Sequence, residues 1–309
     1  MSRKILKLNT PHREEVKRLQ KCLHYLINAP LRIDGAFGAN TDYWLKNFQI
    51  RKGLACDGIV GKNTYRKIEE CLDQAKKFIV CLDAGHGGIV NNKYTTYENG
   101  GGKYYIHEGE NFGHLPSNPA MFCEGVYNRQ ILKLLSDGLG KAGIEHRRTS
   151  APQKDSSLDS RVLAANHIFK NTGCSGLNLS LHSNAGKARG VIFFVGTRTA
   201  IGKDHANTLR KEMQKDELLK SMTWEHNSLG TLPYVWTRIK RKDFYVLRNL
   251  ENKEYSQRCC SILVENDFFD NLEGAKFIND PANKRRYVEA LVQGIKKIKE
   301  ESLKRIPKI

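Results

Sequence analysis

Phe78-Ile-Val-Cys-Leu-Asp-Ala-Gly-His-Gly-Gly88 is the stretch that decides the fold class of this chain. Its five apolar residues, Phe78 to Leu82, are too few for a buried helix and rich enough in β-branched side chains for an interior strand. The strand is expected to stop at Asp83, where a turn of small residues presents His86 between Gly85 and the pair Gly87-Gly88. In open α/β sheets ligand sites lie beyond the carboxyl ends of strands. Glycines there let other groups approach the backbone closely. Alone, the stretch reads equally well as a glycine-rich turn that contains a histidine, so the rest of the chain must decide.

Downstream, strand and helix patterns alternate. Residues 91–121 are rich in Gly, Asn and Tyr and exceed an ordinary connection, which predicts a lid or a substrate-facing loop. Residues 124–142 read as a helix with Val126, Ile131, Leu134, Leu135 and Leu139 on its apolar side and Gly143 ending it. Strands are expected at 144–148, 177–181, 190–196, 245–247 and 261–264, and helices at 161–169, 206–219 and 287–299. The alternation predicts an α/β fold, a mostly parallel twisted sheet flanked by helices.

Upstream, residues 11–72 read as a compact helical module. Val16, Leu19, Leu23 and Leu26 form one apolar stripe, and Trp44, Phe48 and Leu54 supply further core. Two octets, Asp34-Gly-Ala-Phe-Gly-Ala-Asn-Thr41 and Asp57-Gly-Ile-Val-Gly-Lys-Asn-Thr64, share the pattern D-G-x-x-G-x-x-T. Asp-Gly sets a turn, the second glycine tolerates positive φ, and Asn or Thr can cap the helix that follows. With Leu19-Gln20 before them and Phe48-Gln49 between them, the octets resemble the peptidoglycan-binding module of many wall hydrolases, a small three-helix family. The expected division is 1–75 for this module and 76–309 for a larger domain, with Lys76-Lys77 at the boundary. The module would then act as a tether that raises local concentration on the polymer.

A chain of 309 residues accommodates one large and one small domain. No run of about 18 apolar residues occurs, so no membrane span is expected. The first ten residues have basic groups without an apolar segment, which predicts synthesis without a secretory signal. The eight cysteines show neither C-x-x-C nor zinc-module spacing, and reduced thiols are expected. A net charge of +18 favours a polyanionic partner: nucleic acid, an acidic membrane face or the anionic polymers of a bacterial wall. No nucleic-acid-binding motif accompanies the charge.

Three predicted strands end in groups able to bind metal or move protons: His86, His182 and Glu265, while Glu124 opens a helix. Two histidines and a carboxylate are a common zinc set with one position left open. A second carboxylate can then serve as general base and acid. Asp83-Ala-Gly-His-Gly-Gly88, Glu124-Gly-Val-Tyr-Asn128, Arg161-Val-Leu-Ala-Ala-Asn166, Ser180-Leu-His-Ser-Asn-Ala185 and Leu263-Val-Glu-Asn-Asp-Phe-Phe-Asp-Asn271 together resemble the zinc-dependent N-acetylmuramoyl-L-alanine amidases with an α/β catalytic domain. The resemblance runs from Phe78 almost to the last helix. It implies His86, Glu124 and His182 as zinc ligands, Glu265 as the catalytic carboxylate and bacterial peptidoglycan as the substrate. Arg161 and Asn166 fit positions that are structural or substrate-orienting, Asp83 is a candidate for orienting a ligand imidazole, and Asn184 is a further candidate beside ligands or substrate. Gly87-Gly88 are expected to give clearance for metal and glycan.

Several features depart from the pattern or leave choices open. His107, Glu108, Glu110 and His114 precede Glu124 and compete with it as ligands. Where the family places a small residue or Pro and then Gly after the catalytic Glu, this chain has Asn266-Asp267, so an additional negative charge is expected near the metal. Arg238, Lys240, Arg241 and Lys242, in the insert 224–242, are candidates for holding wall anions, against the plainer reading of a solvated charge run. A phage endolysin, made in the host cytoplasm and acting at the wall after release, is the expected role, with a bacterial autolysin second. A wall-binding protein with a decayed amidase domain and a nucleic-acid-binding protein are the rivals.

Overall fold

In a computed structural model, the chain is described over residues 3–96, 102–196, 200–220, 238–241, 244, 247 and 254–309. Three helices, α1 (Arg13–Ile27), α2 (Ala39–Arg51) and α3 (Lys62–Ala75), form the N-terminal module. Their own apolar cluster includes Val16, Leu19, Leu23, Leu26, Phe48 and Ile68, with Trp44 and Leu54 packed at its edge.

The two octets fold alike. Gln20 Nε2 donates to Asp34 Oδ1 (2.9 Å), Ala36 O (3.1 Å) and Thr41 Oγ1 (3.1 Å), and its Oε1 accepts from Gly35 N–H (2.9 Å). Gln49 repeats this with Asp57 Oδ1 (2.8 Å), Ile59 O (3.1 Å), Thr64 Oγ1 (3.4 Å) and Gly58 N–H (3.0 Å). The sequence-based reading needs two corrections here. The left-handed residue of each octet is the first glycine, Gly35 (φ 78°) and Gly58 (φ 69°), whereas Gly38 and Gly61 are extended. Thr41 and Thr64 cap no helix: their hydroxyls donate back to Ala36 O and Ile59 O, closing each turn on itself.

The remainder of the chain is built on a six-stranded sheet. Its strands are β1 (Phe78–Ala84), β6 (Glu145–Arg148), β7 (Ser175–Asn184), β8 (Val191–Val195), β9 (Arg238–Arg241) and β10 (Cys259–Phe268), in the order β6-β1-β7-β10-β8-β9. β6, β1, β7 and β10 are parallel, and β8 runs antiparallel to β10 with β9 parallel beside it. The reversal follows from chain length, since the few residues between β7 and β8 cannot make the crossover that a parallel return requires.

Helices α4 (Glu124–Lys141), α6 (Ala200–Met213) and α9 (Pro281–Lys304) cover one face, where Val80, Leu82, Leu177, Leu179, Ile262 and Val264 meet Tyr127, Leu135, Leu209 and Leu291. Helix α5 (Leu158–Thr172) covers the other, packing Ala165 and Phe169 on Ile79 and Cys81, and Val162 on Leu263. Alternation along each strand then places Asp83, Ser180, His182 and Glu265 on the α5 side.

The 91–121 segment is not one open loop. It contains part of the pair β2 (Ile89–Val90) and β3 (Lys93–Tyr94), joined through left-handed Asn91 and Asn92, and most of the pair β4 (Tyr104–Ile106) and β5 (Met121–Cys123). Tyr94, Leu115, Met121 and Cys123 bury one another, and residues 97–101 lie outside the description. The helix expected over 206–219 is two: α6 stops at Met213, and Asp216 accepts from the Leu218 and Leu219 N–H groups to start α7 (Glu217–Lys220). Of the strand expected at 245–247, Leu247 is helical and the other two residues are outside the description. Helix α8 (Leu272–Asn279) is capped by Asn271, and α9 by Asp280 with Pro281 in its first turn. Among the described residues no helix is long and apolar enough to cross a membrane.

The module docks at the starting ends of the strands. Ser175 Oγ donates to Ala75 O (2.7 Å) and pairs with Tyr25 Oη (3.2 Å), and Arg258 Nη1 donates to Leu26 O (2.9 Å). Ile306 and Ile309, past the end of α9, pack against the module's apolar cluster.

Candidate metal centre

In sequence order the sheet grows from β1 outward to β6 and then to β7 on the opposite side of β1. The crevice beyond the carboxyl ends of β1 and β7 is therefore the switch point at which α/β sheets take ligands. His86 follows β1 and His182 lies near the end of β7. Glu265, on β10, is the register partner of His182. Glu124 reaches the same point from the first residue of α4, an N-terminus favourable to negative charge.

One carboxylate spans both imidazoles. Glu124 Oε1 lies 3.0 Å from His182 Nδ1 and accepts from the Ser183 N–H at 3.1 Å, while Oε2 is 3.3 Å from His86 Nε2. The two rings stand perpendicular with centroids 4.9 Å apart. One ligand atom from each of His86, Glu124 and His182 lies within 4.8 Å of the others, a group that could hold a metal ion. Ligands of a tetrahedral metal bound at about 2.0–2.2 Å stand roughly 3.3–3.6 Å apart. The donor set and its spacing therefore fit a zinc-like cation with small adjustment. Glu265 adds a second fitting feature, for its buried Oε2 has no protein partner.

The electrostatics separate the two carboxylates. Burial opposes ionisation of Glu124, but the charges and hydrogen bonds of His86 and His182 outweigh it and hold the group well below the usual carboxylate range. Burial pushes Glu265 up to about 7; His182 pulls against that, Glu124 adds to it and Lys103 opposes it. His182 is raised: burial works against its charged form, and the bond to Glu124 together with the charges of Glu265, Glu124 and Asp83 outweighs it.

The turn carrying His86 is fixed by its neighbours. His86 itself has φ 61°, an uncommon backbone for a non-glycine residue. Buried Arg161 donates to Ala84 O (2.6 Å), His86 O (3.3 Å), Asp83 Oδ1 (2.5 Å) and Asp155 Oδ1 (2.9 Å). Asp83 is thus held by Arg161 and Ser180 Oγ (2.7 Å), and the expectation that it orients an imidazole is not met. Asn166 accepts from Tyr255 Oη (2.6 Å), a residue buried with Cys259 at the start of β10, so it belongs to the packing under α5. Asn184 Oδ1 accepts from the N–H of Ala185, its own neighbour.

The glycines also differ from expectation. A Cβ on Gly87 would fall 1.9 Å from Thr95 Oγ1, and one on Gly88 2.6 Å from Gln153 Oε1, so these two clear the protein's own chain. Gly85 is the one that clears the site: a Cβ there would lie 2.1 Å from the His182 ring.

The competing loop residues are engaged elsewhere or exposed. His107 Nε2 bonds Phe269 O (2.9 Å), and Glu110 pairs with Lys276 (2.6 Å). His114 accepts from Cys123 N–H (2.9 Å) and bonds Asn279 (3.1 Å), while Glu108 is exposed. Asp267 is fully buried against Arg189 (2.9 Å); burial raises its carboxyl while Arg189 and the Gly190 N–H pull it down. The groups that shift Glu265 do not include it, so the expected additional charge at the metal is neutralised. Arg238, Lys240 and Arg241 stand in edge strand β9; their side chains, with the remainder of 224–242, lie outside the description.

Tyr94, which the sequence did not single out, and Asn128, which closes the Glu124 motif, complete the frame. Tyr94 Oη accepts from Gly125 N–H (2.9 Å) and donates to Lys103 O (3.1 Å), pinning the start of α4. Asn128, one helical turn after Glu124, donates to Gly85 O (3.2 Å). Its i+4 spacing on a helix was a readable signal; Tyr94 offered none.

Residues 80–297 match the family model for N-acetylmuramoyl-L-alanine amidase, and residues 12–68 match that for a peptidoglycan binding domain. The spore cortex-lytic enzyme of Oceanobacillus iheyensis is 33% identical over 110 residues, 34% of this chain and 39% of that protein. The chain thus spans about two fifths of the length of the curated relative it matches. Similar solved structures include an N-acetylmuramoyl-L-alanine amidase from Clostridium difficile 630 (20% identity, TM-score 0.49, covering 72% of this chain and 96% of that one). The catalytic domain of CwlV, an amidase from Bacillus (Paenibacillus) polymyxa var. colistinus, is another (17% identity, TM-score 0.48, 71% and 96%). With residues 80–297, more than two thirds of its length, inside the amidase model, this chain belongs to the N-acetylmuramoyl-L-alanine amidase family.

Proposed function

We propose that this chain hydrolyses the amide between the lactyl group of N-acetylmuramic acid and the L-alanine of the stem peptide, with zinc held by His86, Glu124 and His182. The observation that carries the reading is the convergence of those three donors within 4.8 Å, beside a buried carboxylate oxygen without a partner. Family membership, in a family generally dependent on zinc, supports the choice of metal. Zinc in that position supplies Lewis acidity, drawing electron density from a carbonyl oxygen and easing deprotonation of water.

The chain's own groups do the remainder. Glu265 accepts a proton from the attacking water at Oε2 as the new C–O bond forms, and returns it to the departing alanine nitrogen as the C–N bond breaks. A carboxyl near pH 7 suits both halves of that task. Arg161 acts as a positioning residue, fixing the backbone on both sides of His86.

Domain 76–309 is assigned to catalysis and 1–75 to holding peptidoglycan, a division supported by their separate apolar clusters. The basic charge is assigned to anionic wall polymers rather than nucleic acid. The proposed setting is lysis of a bacterial host by a phage, the enzyme being made in the host cytoplasm and acting at the wall after release. Remodelling by a bacterium of its own wall is the second reading, favoured by the similarity to a spore cortex-lytic enzyme.

Digestion of purified peptidoglycan, with mass spectrometry of the products, tests the reaction. New alanine amino termini, lost with a chelator and restored by zinc, are expected. Products cut in the glycan or within the peptide, or no products at all, overturn it. Lysis on cytoplasmic expression only when the membrane is permeabilised distinguishes the phage setting.

A further inference from the structure

Strand β10 does not pass straight through the site. Glu265 pairs with His182 and Phe268 with Asn184, so β10 spends three steps where β7 spends two. The surplus residue makes a bulge, a device that re-aims neighbouring side chains and often sits beside active sites. It is taken up at Asp267, whose φ is 56°.

Glycine makes such a turn without steric cost, and Asp is tolerated there far less well. The side chain therefore has another role, visible in its contacts. Asp267 accepts from Arg189 Nε at both oxygens (2.9 and 3.2 Å) and from Gly190 N–H (2.9 Å), the residue just before β8. Its carbonyl accepts from Ser183 Oγ (3.3 Å), and Ser183 N–H in turn donates to Glu124. Asn266 Nδ2 donates to Tyr127 Oη, on the first turn of α4. Arg189 also pairs with Glu273 (3.3 Å) and lies over the Phe277 ring, tying the bulge to α8. A Cβ on Gly274 would stand 2.6 Å from Phe268 O and 3.4 Å from the Asp267 carboxylate, so α8 closes on the bulge with no slack.

We propose that the ion pair of half-buried Arg189 with buried Asp267 is a positioning device for Glu265, locking the β10 bulge in the conformation that keeps the Glu265 carboxylate beside His182. Neither side chain bonds to His86, Glu124 or His182. They act through the two peptide units that separate Asp267 from Glu265. The proposal rests on the assignment of Glu265 as the proton-carrying group.

The test is carried out on the full-length zinc-loaded protein with Asp267→Gly, which keeps the turn and removes the lock, and with Arg189→Met and Arg189→Lys. Asp267→Gly is expected to bind zinc in parental stoichiometry and keep KM within about twofold, while kcat falls roughly tenfold to a hundredfold, the scale of an ångström-sized misplacement. In the metal-free protein, hydrogen exchange of the peptide spanning 259–270 should quicken at least about tenfold, because β10 amides then open locally. Arg189→Met should reproduce both effects and Arg189→Lys should largely rescue them.

Parental kcat and exchange in Asp267→Gly overturn the proposal. If that variant fails to fold, Arg189→Met decides by the same two measurements. Glu265→Gln is run alongside: parental activity there removes the role of Glu265 itself, which is a different failure from an idle ion pair.

Discussion

The two glutamine-centred turns of the module and the crevice of the catalytic domain solve the same problem over different chain distances. In each turn, one buried amide gathers an Asp, a Gly, a carbonyl and a Thr from within 21 residues. In the crevice, Glu124, His182 and Glu265 come from three separate elements and His86 from the turn after a fourth, spread over residues 86–265. The turn is specified by its octet and one glutamine on the preceding helix, a short segment that occurs twice in this chain. The crevice is specified by strand register and helix placement, so its parts fail together when any of the frame moves.

Glu265→Gln is expected to break the crevice most severely. Activity should fall about 10²- to 10⁴-fold, the usual worth of a positioned acid–base group, with zinc retained and the module untouched. The acid limb of kcat/KM should disappear with it. In the parent that limb lies at or below pH 7, since Glu265 must be ionised to accept a proton and a bound cation favours the ionised form. A parent profile flat from pH 5 to 8 would count against the role.

Acid should distinguish the two regions next. Burial pushes His114 down to about 4 and His205 to about 3, and both lie on the catalytic side. The unfolded chain takes up these protons first, near pH 6.5, so stability falls as pH drops below 6.5 and levels off under each folded value. For His114 the loss amounts to roughly 3 kcal/mol at most. Asp34 and Asp57, held low by backbone N–H groups and by Gln20 and Gln49, contribute stability that is lost only as pH falls below about 4, and Glu69, held low by Arg3, begins to lose its own slightly above that. Glu265, pushed up to about 7 by burial, works the other way, since its folded form takes up a proton first. The check is therefore a comparison of the parent with His114→Gln: between pH 7 and 5 the variant should lose about 2 kcal/mol less stability in denaturant melts.

Gln20→Ala and Gln49→Ala should each cost about 1–3 kcal/mol, because each leaves buried partners unpaired. Equal losses are expected from networks so alike, and a gap beyond about 1 kcal/mol would show that the second copy has drifted in energy. Gly38→Ala should change stability by less than about 0.5 kcal/mol, for its φ is ordinary and a Cβ meets nothing within 4 Å. Gly35, at φ 78° with Arg13 O 2.7 Å from a Cβ, is the sensitive glycine of that octet.

The same contrast explains what was legible beforehand. The apolar run before His86, the octets and the long amphipathic helices announce themselves by local pattern, and their places hold. The pairs β2–β3 and β4–β5 escape because strands of two or three residues are shorter than any period that could reveal them. Arg161 was legible as a site residue, but its partners Asp83 and Asp155 were not separable from metal or substrate contacts without the turn's geometry. The bulge at Asp267 was visible only as an odd charge where the family has Gly. Its meaning lay in Arg189, far along the chain and with no periodic relation to it.

One consequence follows from the way the module is seated. Only Lys76 and Lys77 separate α3 from β1, and the module bonds to the first residues of β7 and the segment entering β10. From Ser175 to His182 the strand advances seven residues, roughly 23 Å at 3.3 Å each. The strands that carry the docking contacts at one end carry the reactive groups at the other. They therefore work as struts: a load taken up by the module passes axially along β1, β7 and β10 toward the crevice, and the working distance is set by strand length instead of by slack chain.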